Sequence, residues 1–169
     1  MTIIVESGEG VPDANSYTSL ADFRAYADLR KLTIPADDTE AEALLIRAAD
    51  TMNAIKWLPG DELEHKTYPD AYLAWPRTDV WLRGRLLPSD AVPREIVYGQ
   101  MALAAEIMAD DANPPETAQG AVTSERVEGA VTVTYAENKG KVLPVNAQRP
   151  SAVLFADYIV KRGLFAVRA

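Results

Sequence analysis

Proline and glycine cut this chain into short pieces, and their positions limit what it can build. Proline in a helix interior costs about 3 kcal/mol, so helices must fit between these breaks. Four windows do. The first opens at Thr18 or Ser19, with Asp22 answering Ser19 in a capping box, and must stop by Leu32 because Pro35 follows. Leu20, Phe23, Tyr26 and Ala27 form its apolar stripe. The second opens on the box Thr39 and Glu42, with Asp37, Asp38 and Glu40 at the positive helix end. It places Leu45, Ala48, Ala49, Met52 and Ile55 on one face before Pro59 and Gly60. The third starts near Pro93 and ends by Asn113. Ile96, Val97, Met101, Leu103, Ala104, Ile107 and Met108 cover more than half of it, as in a helix that is central or covered by a partner. The last runs from Pro150 to Arg162, stopped by Gly163, and is apolar nearly all round.

Between the helices, residues 2–5 are β-branched and read as a short strand. Residues 60–92 form a long connection without regular structure, broken by Pro69, Pro76, Gly84 and Pro88. Residues 121–136 alternate like a β-hairpin turning at Glu128 and Gly129. A two-residue turn there pairs Val131, Val133 and Tyr135 with Arg126, Ser124 and Val122, a weak apolar face that needs another surface. The expected fold is α+β and mainly α: four helices in a bundle, a β-hairpin arm and a C-terminal docking helix. Three units follow: residues 1–112 as helical core, 113–147 as arm and linker, 148–169 as terminal helix.

With 169 residues, 48% hydrophobic and 25% charged, the chain suits one ordinary globular domain. It has no cysteine, which excludes disulfides, thiol chemistry and zinc–thiolate sites. No apolar run approaches a membrane span, and residues 1–6 lack the features of a signal peptide, so a soluble protein made in the cytosol is expected. The formal charge of −8 opposes sequence-independent binding to nucleic acid.

Motifs for chemistry are sparse. His65 is the one histidine, and no G-x-S-x-G elbow accompanies it. Asp61, Glu62 and Glu64 beside it match no metal-ligand spacing and read as a solvated loop. Gly8, Glu9 and Gly10 begin a dinucleotide fingerprint but lack its third glycine, and Glu6 and Glu9 would repel a pyrophosphate, so a simple turn is expected. No catalytic residue, cofactor or metal is expected. From Trp75 to Arg85, two tryptophans alternate with Arg77, Arg83 and Arg85, the composition of a platform for single strands. The competing account packs the tryptophans on the helices and pairs the arginines with acids, and the net charge favours it.

Val5, Glu6, Gly8 and Gly10, then Ala14, Asn15, Ser16 and Tyr17, resemble the opening of a family of small tailed-phage and prophage proteins, the DnaT-like ssDNA-binding family. Residues 43–50 and the run Leu73, Ala74, Trp75, Pro76, Arg77 extend the likeness over most of residues 3–112. In size, helical core and hairpin that family is similar to head–tail connectors (adaptors). The resemblance so read implies a non-enzymatic structural virion protein in the neck, assembled in the host cytoplasm. It would form a homo-oligomeric ring of about twelve copies between the portal protein and tail or stopper proteins, with DNA sliding through unbound. Phe155, Tyr158, Ile159, Lys161 and Arg162 would then dock on the portal or the next subunit, and Val131, Val133 and Tyr135 would pair between subunits. Asn15, Ser16, Tyr17, Trp75, Pro76 and Arg77 would be structural. The alternative is a single-stranded-DNA-binding accessory protein of replication, which should gather its basic residues on one face.

Overall fold

The first helix begins where its cap predicts. Ser19 accepts from the backbone N–H of Asp22 and donates to its carboxylate at 2.6 Å. The helix, α1 (Leu20–Arg30), ends because Lys31 turns left-handed and returns its N–H to the last turn. The second, α2 (Asp38–Asn53), is capped by Asp37, not Thr39: the Asp37 carboxylate accepts from Glu40 N at 3.0 Å. Aspartate caps better than threonine and adds charge at the positive helix end. The computed structural model describes residues 2–60, 65–112, 124–127, 131–134 and 149–160.

The third helix, α3 (Arg94–Ala112), is central: α2 packs on one side of it and α4 (Pro150–Phe155) on another. Its broad apolar surface is therefore covered from within the chain. One core cluster joins Phe23, Tyr26, Leu44, Leu45 and Met101. The other gathers Met52, Trp57, Trp75, Ile96, Phe155 and Tyr158. Between them Gln100, fully buried, accepts from Tyr17 N at 2.8 Å and donates to Ser16 Oγ and to Leu45 O. The fold is thus mixed α+β and mainly helical.

The terminal helix is shorter than its apolar run suggests. After Phe155 the chain turns, and Tyr158 and Val160 make backbone hydrogen bonds to Leu58 and Lys56. Phe155 fills a notch at Gly99, where a Cβ would lie 2.0 Å from the ring. Three acids of α3 hold the segment: Asp110 takes Arg149 bidentately at 2.7 and 2.9 Å, Glu106 accepts from Ser151 N and Oγ, and Glu95 accepts from Tyr158 Oη. Phe155 and Tyr158 are buried within this chain, so they are not the free docking face expected of them, and Ile159 bridges Trp57. Lys161 and Arg162 lie outside the described residues.

Two antiparallel ribbons stand among the described residues. The long connection contains one that the sequence does not announce, β1 (Trp81–Leu82) with β2 (Arg85–Leu86). The predicted hairpin forms β3 (Ser124–Val127) and β4 (Val131–Thr134), but its register differs by one residue. Val131 is paired with Val127 and Val133 with Glu125, leaving three residues between the strands instead of two. Tyr135 lies outside the described residues. The opening strand reduces to one bridge, Val5 to Ser16.

Candidate nucleic-acid interface

The segment rich in tryptophan and arginine divides into an inner and an outer half. In the inner half Trp75 and Arg77 are at most 1% exposed. The Trp75 ring meets Trp57 and Tyr158 edge to face, with centroids 5.9 and 5.7 Å apart. Its backbone N–H donates to Tyr17 Oη at 3.0 Å. Burial pushes the Tyr17 phenol well above its ordinary pKa. Arg77 donates through Nε to Leu58 O at 2.9 Å, tying the end of the α2 connection to this core. Asn15 accepts from Ile4 N and donates to Thr2 O, while Ser16 Oγ donates to Thr18 O. Tyr17, Trp75 and Arg77 are thus tied into the core, and Asn15 and Ser16 brace the chain before α1.

In the outer half, β1 and β2 meet through a two-residue turn of Arg83 (φ 48°) and Gly84 (φ 77°). Positive φ at both positions is what a tight ribbon with native twist requires; glycine adopts it freely, arginine at some cost. The register pairs Trp81 with Leu86, so both side chains project from one face of the ribbon, 62% and 53% exposed. Leu82, on the opposite face, packs on the core and anchors the ribbon. The result is an exposed indole and an exposed leucine with Arg83 at the tip and Arg85 behind.

Charge here is set by local pairing more than by the total of −8. Arg24, Arg47, Arg83 and Arg149 bind Asp38, Asp111, Asp157 and Asp110. The pairing raises the pKa of Arg47 and lowers that of Asp111 through their hydrogen bond. Arg30, Arg85 and Arg94 have no acidic partner among the described residues.

Of the other sequence candidates, the glycine turn is structural. Glu6, 1% exposed, accepts from the backbone N–H groups of Gly8, Gly10 and Val11 at 2.7, 3.0 and 2.8 Å. The glycine turn therefore already holds an anion of its own. His65 is half-buried, its Nδ1 3.8 Å from Asp79. Asp61, Glu62 and Glu64 fall outside the described residues, and no group of three His, Asp or Glu among the described residues is placed to hold a metal. No helix among them is long and apolar enough to cross a membrane. Sequence reasoning singles out Trp81, Arg83 and Arg85. It misses Leu86, Arg30 and Arg94, because only the ribbon register and the pairing of the acids mark them.

Fold and surface together define a small, mainly helical α+β protein with an aromatic and basic ribbon turned to solvent. A family model described as "Putative DnaT-like ssDNA binding protein" matches residues 1–168, and the chain belongs to that family. Searches of curated proteins and of solved structures found no match. The match corrects the connector reading: a family described by single-stranded-DNA binding does not support a structural ring between portal and tail, nor DNA passing unbound. Asp38, Asp110, Asp111 and Asp157 pair with arginines, while Arg30, Arg85 and Arg94 stand exposed without such partners among the described residues, so the net charge does not describe every part of the surface.

Proposed function

We propose that this chain is a non-catalytic single-stranded-DNA-binding protein, an accessory to replication, where unpaired strands arise. The observation that carries the reading is Trp81, 62% exposed on a ribbon whose remaining corners are Arg83, Arg85 and Leu86. A soluble protein gains nothing in stability from a solvent-facing indole, but a base stacked on it gains about 1–3 kcal/mol. Every base has a π-face, so such a contact is indifferent to sequence. Arg83 at the tip then meets a flanking phosphate, Arg85 adds positive charge from the opposite face, and Leu86 excludes water from one edge of the stack. Membership of the family supports the same ligand.

Fluorescence anisotropy with a labelled oligothymidylate tests this. Binding in the micromolar range at low salt is expected, weakening about 5- to 150-fold in Trp81→Ala. Absence of binding up to about 100 μM, the weak end of ordinary non-specific affinity, would overturn it.

A further inference from the structure

A second group of aromatic and basic side chains lies across α1 and α3. The Arg30 guanidinium stands over the Tyr26 ring, 3.7 Å from its centroid, and 5.4 Å from that of Tyr98. Arg94 stands 4.6 Å from the Tyr98 centroid and donates to Tyr98 Oη at 3.0 Å. The two tyrosines meet edge to face at 5.6 Å. The order is Arg94, Tyr98, Arg30, Tyr26: two cations interleaved with two rings. Both arginines are exposed, Tyr98 is half-buried, and Tyr26 forms the buried floor.

Two features separate this ladder from an ordinary surface contact. Acids outnumber basic residues 25 to 17, yet neither Arg30 nor Arg94 has an acidic partner among the described residues. The ladder also borders a groove of about 300 Å³ lined by Tyr26, Leu29, Arg30 and Tyr98, with Leu29 82% exposed at its lip. Each guanidinium donates one N–H to the protein, Arg30 to Tyr26 O at 3.5 Å and Arg94 to Tyr98 Oη, which leaves the others for a phosphate, and the groove, lined also by Asp22, offers a base the apolar walls of Leu29, Val97 and Met101.

The ladder and the ribbon both border the first turns of α3. Glu95 lines a cavity of about 340 Å³ together with Leu82 and Arg83, while Val97 and Tyr98, one turn on or less, line the groove. Arg94, the first residue of α3, directly precedes Glu95 in the same turn. We infer that the Arg94, Tyr98, Arg30 and Tyr26 ladder is a second contact for the same single strand, continuing its path from the Trp81 ribbon over the first turns of α3. This rests on the single-strand reading above and adds its path and length. Arg94 and Arg30 would meet successive phosphates, with a base entering the groove beside Leu29.

Length and salt separate the two contacts. The probes are labelled oligothymidylates of about 4 and about 15 nucleotides, the limits of ordinary single-strand sites. The proteins are the full chain and its Trp81→Ala, Arg30→Glu and Arg94→Glu variants, each checked for unchanged thermal unfolding. The longer probe should bind the full chain more tightly, and Arg30→Glu with Arg94→Glu should weaken it about tenfold or more. The salt dependence should flatten by about 0.7 in log–log slope for each phosphate that the variant no longer neutralises. Iodouracil in the longer probe should cross-link to Tyr98 or Tyr26. Unchanged affinity and slope in both arginine variants, with Trp81→Ala still impaired, would overturn the second contact and leave the ribbon standing. Weaker binding by the arginine variants with no effect of Trp81→Ala would support the ladder and overturn the ribbon. No binding by the unaltered chain would overturn both.

Discussion

Trp75 with Arg77 and Trp81 with Arg83 stand a few residues apart, with nearly the same composition and opposite surroundings. The first pair is enclosed: its ring meets Trp57 and Tyr158, and its guanidinium satisfies the carbonyl of Leu58. The second pair stands in solvent on a two-residue turn. Their difference comes from partners far along the chain, since Tyr17, Leu58 and Tyr158 converge on the first pair, while Leu82 and the exposed Arg83–Asp157 ion pair anchor the other's ribbon. Residue types that suit a binding platform equally suit a core. Exposure, not composition, separates the two.

Stability measurements should break this symmetry most widely. Trp75→Ala removes a fully enclosed ring and should cost about 3–5 kcal/mol by urea unfolding. Trp81→Ala removes an exposed one and should change stability by no more than about 0.5 kcal/mol. Equal losses would mean that the ribbon tryptophan is also core, and its assignment to a ligand would fail.

How far the chain can be read without its structure follows the same division. Ser19, Leu45, Ala48 and Met52 are legible because caps and helical spacing are local. The Asp37 cap is not, because several acids and a threonine compete for one helix start. The β1–β2 ribbon escapes notice because its turn pairs arginine with glycine instead of the usual asparagine or aspartate. The hairpin register differs because three residues, not two, separate the strands, and one residue of turn length shifts every pair. Phe155 and Tyr158 read as a docking face because an apolar run does not say whether its cover is another chain or, as here, α3. The site is half legible: Trp81, Arg83 and Arg85 stand out by type. The exposed cations of α1 and α3 depend on which acids are already taken.

Alkaline pH should act on the enclosed half. Burial raises the pKa of Tyr17, and burial with the hydrogen bond to Glu95 raises that of Tyr158. An unfolded tyrosine ionises near pH 10, whereas these keep their protons in the fold. Their contribution is therefore fully present below about pH 10 and is lost as pH rises above it, because the unfolded state then releases protons first. Thermal unfolding temperature should be flat from neutral pH to about pH 9.5 and fall beyond it. Tyr158→Phe should flatten that fall. A profile unchanged by Tyr158→Phe would mean that this phenol is not protected in the fold.

The smallest expected effect bears on the exposed half. Asp157, just past α4, takes Arg83 at 2.7 Å, and Arg83 lies at the tip of the ribbon with 87% of its side chain exposed. A phosphate must displace that carboxylate before it can use the guanidinium, and the carboxylate's charge repels the strand as it approaches. Asp157→Asn keeps the shape and removes the charge. It should tighten oligothymidylate binding a few-fold and steepen the salt dependence by up to about 0.7 in log–log slope, one full phosphate contact. Screening makes the gain largest at low ionic strength, where an exposed pair interacts over the longest range. Arg83→Glu should do the reverse. Weaker binding by Asp157→Asn would show instead that the ion pair holds the ribbon in its binding geometry, and Arg83 would then be a support for Trp81, not a ligand of the strand.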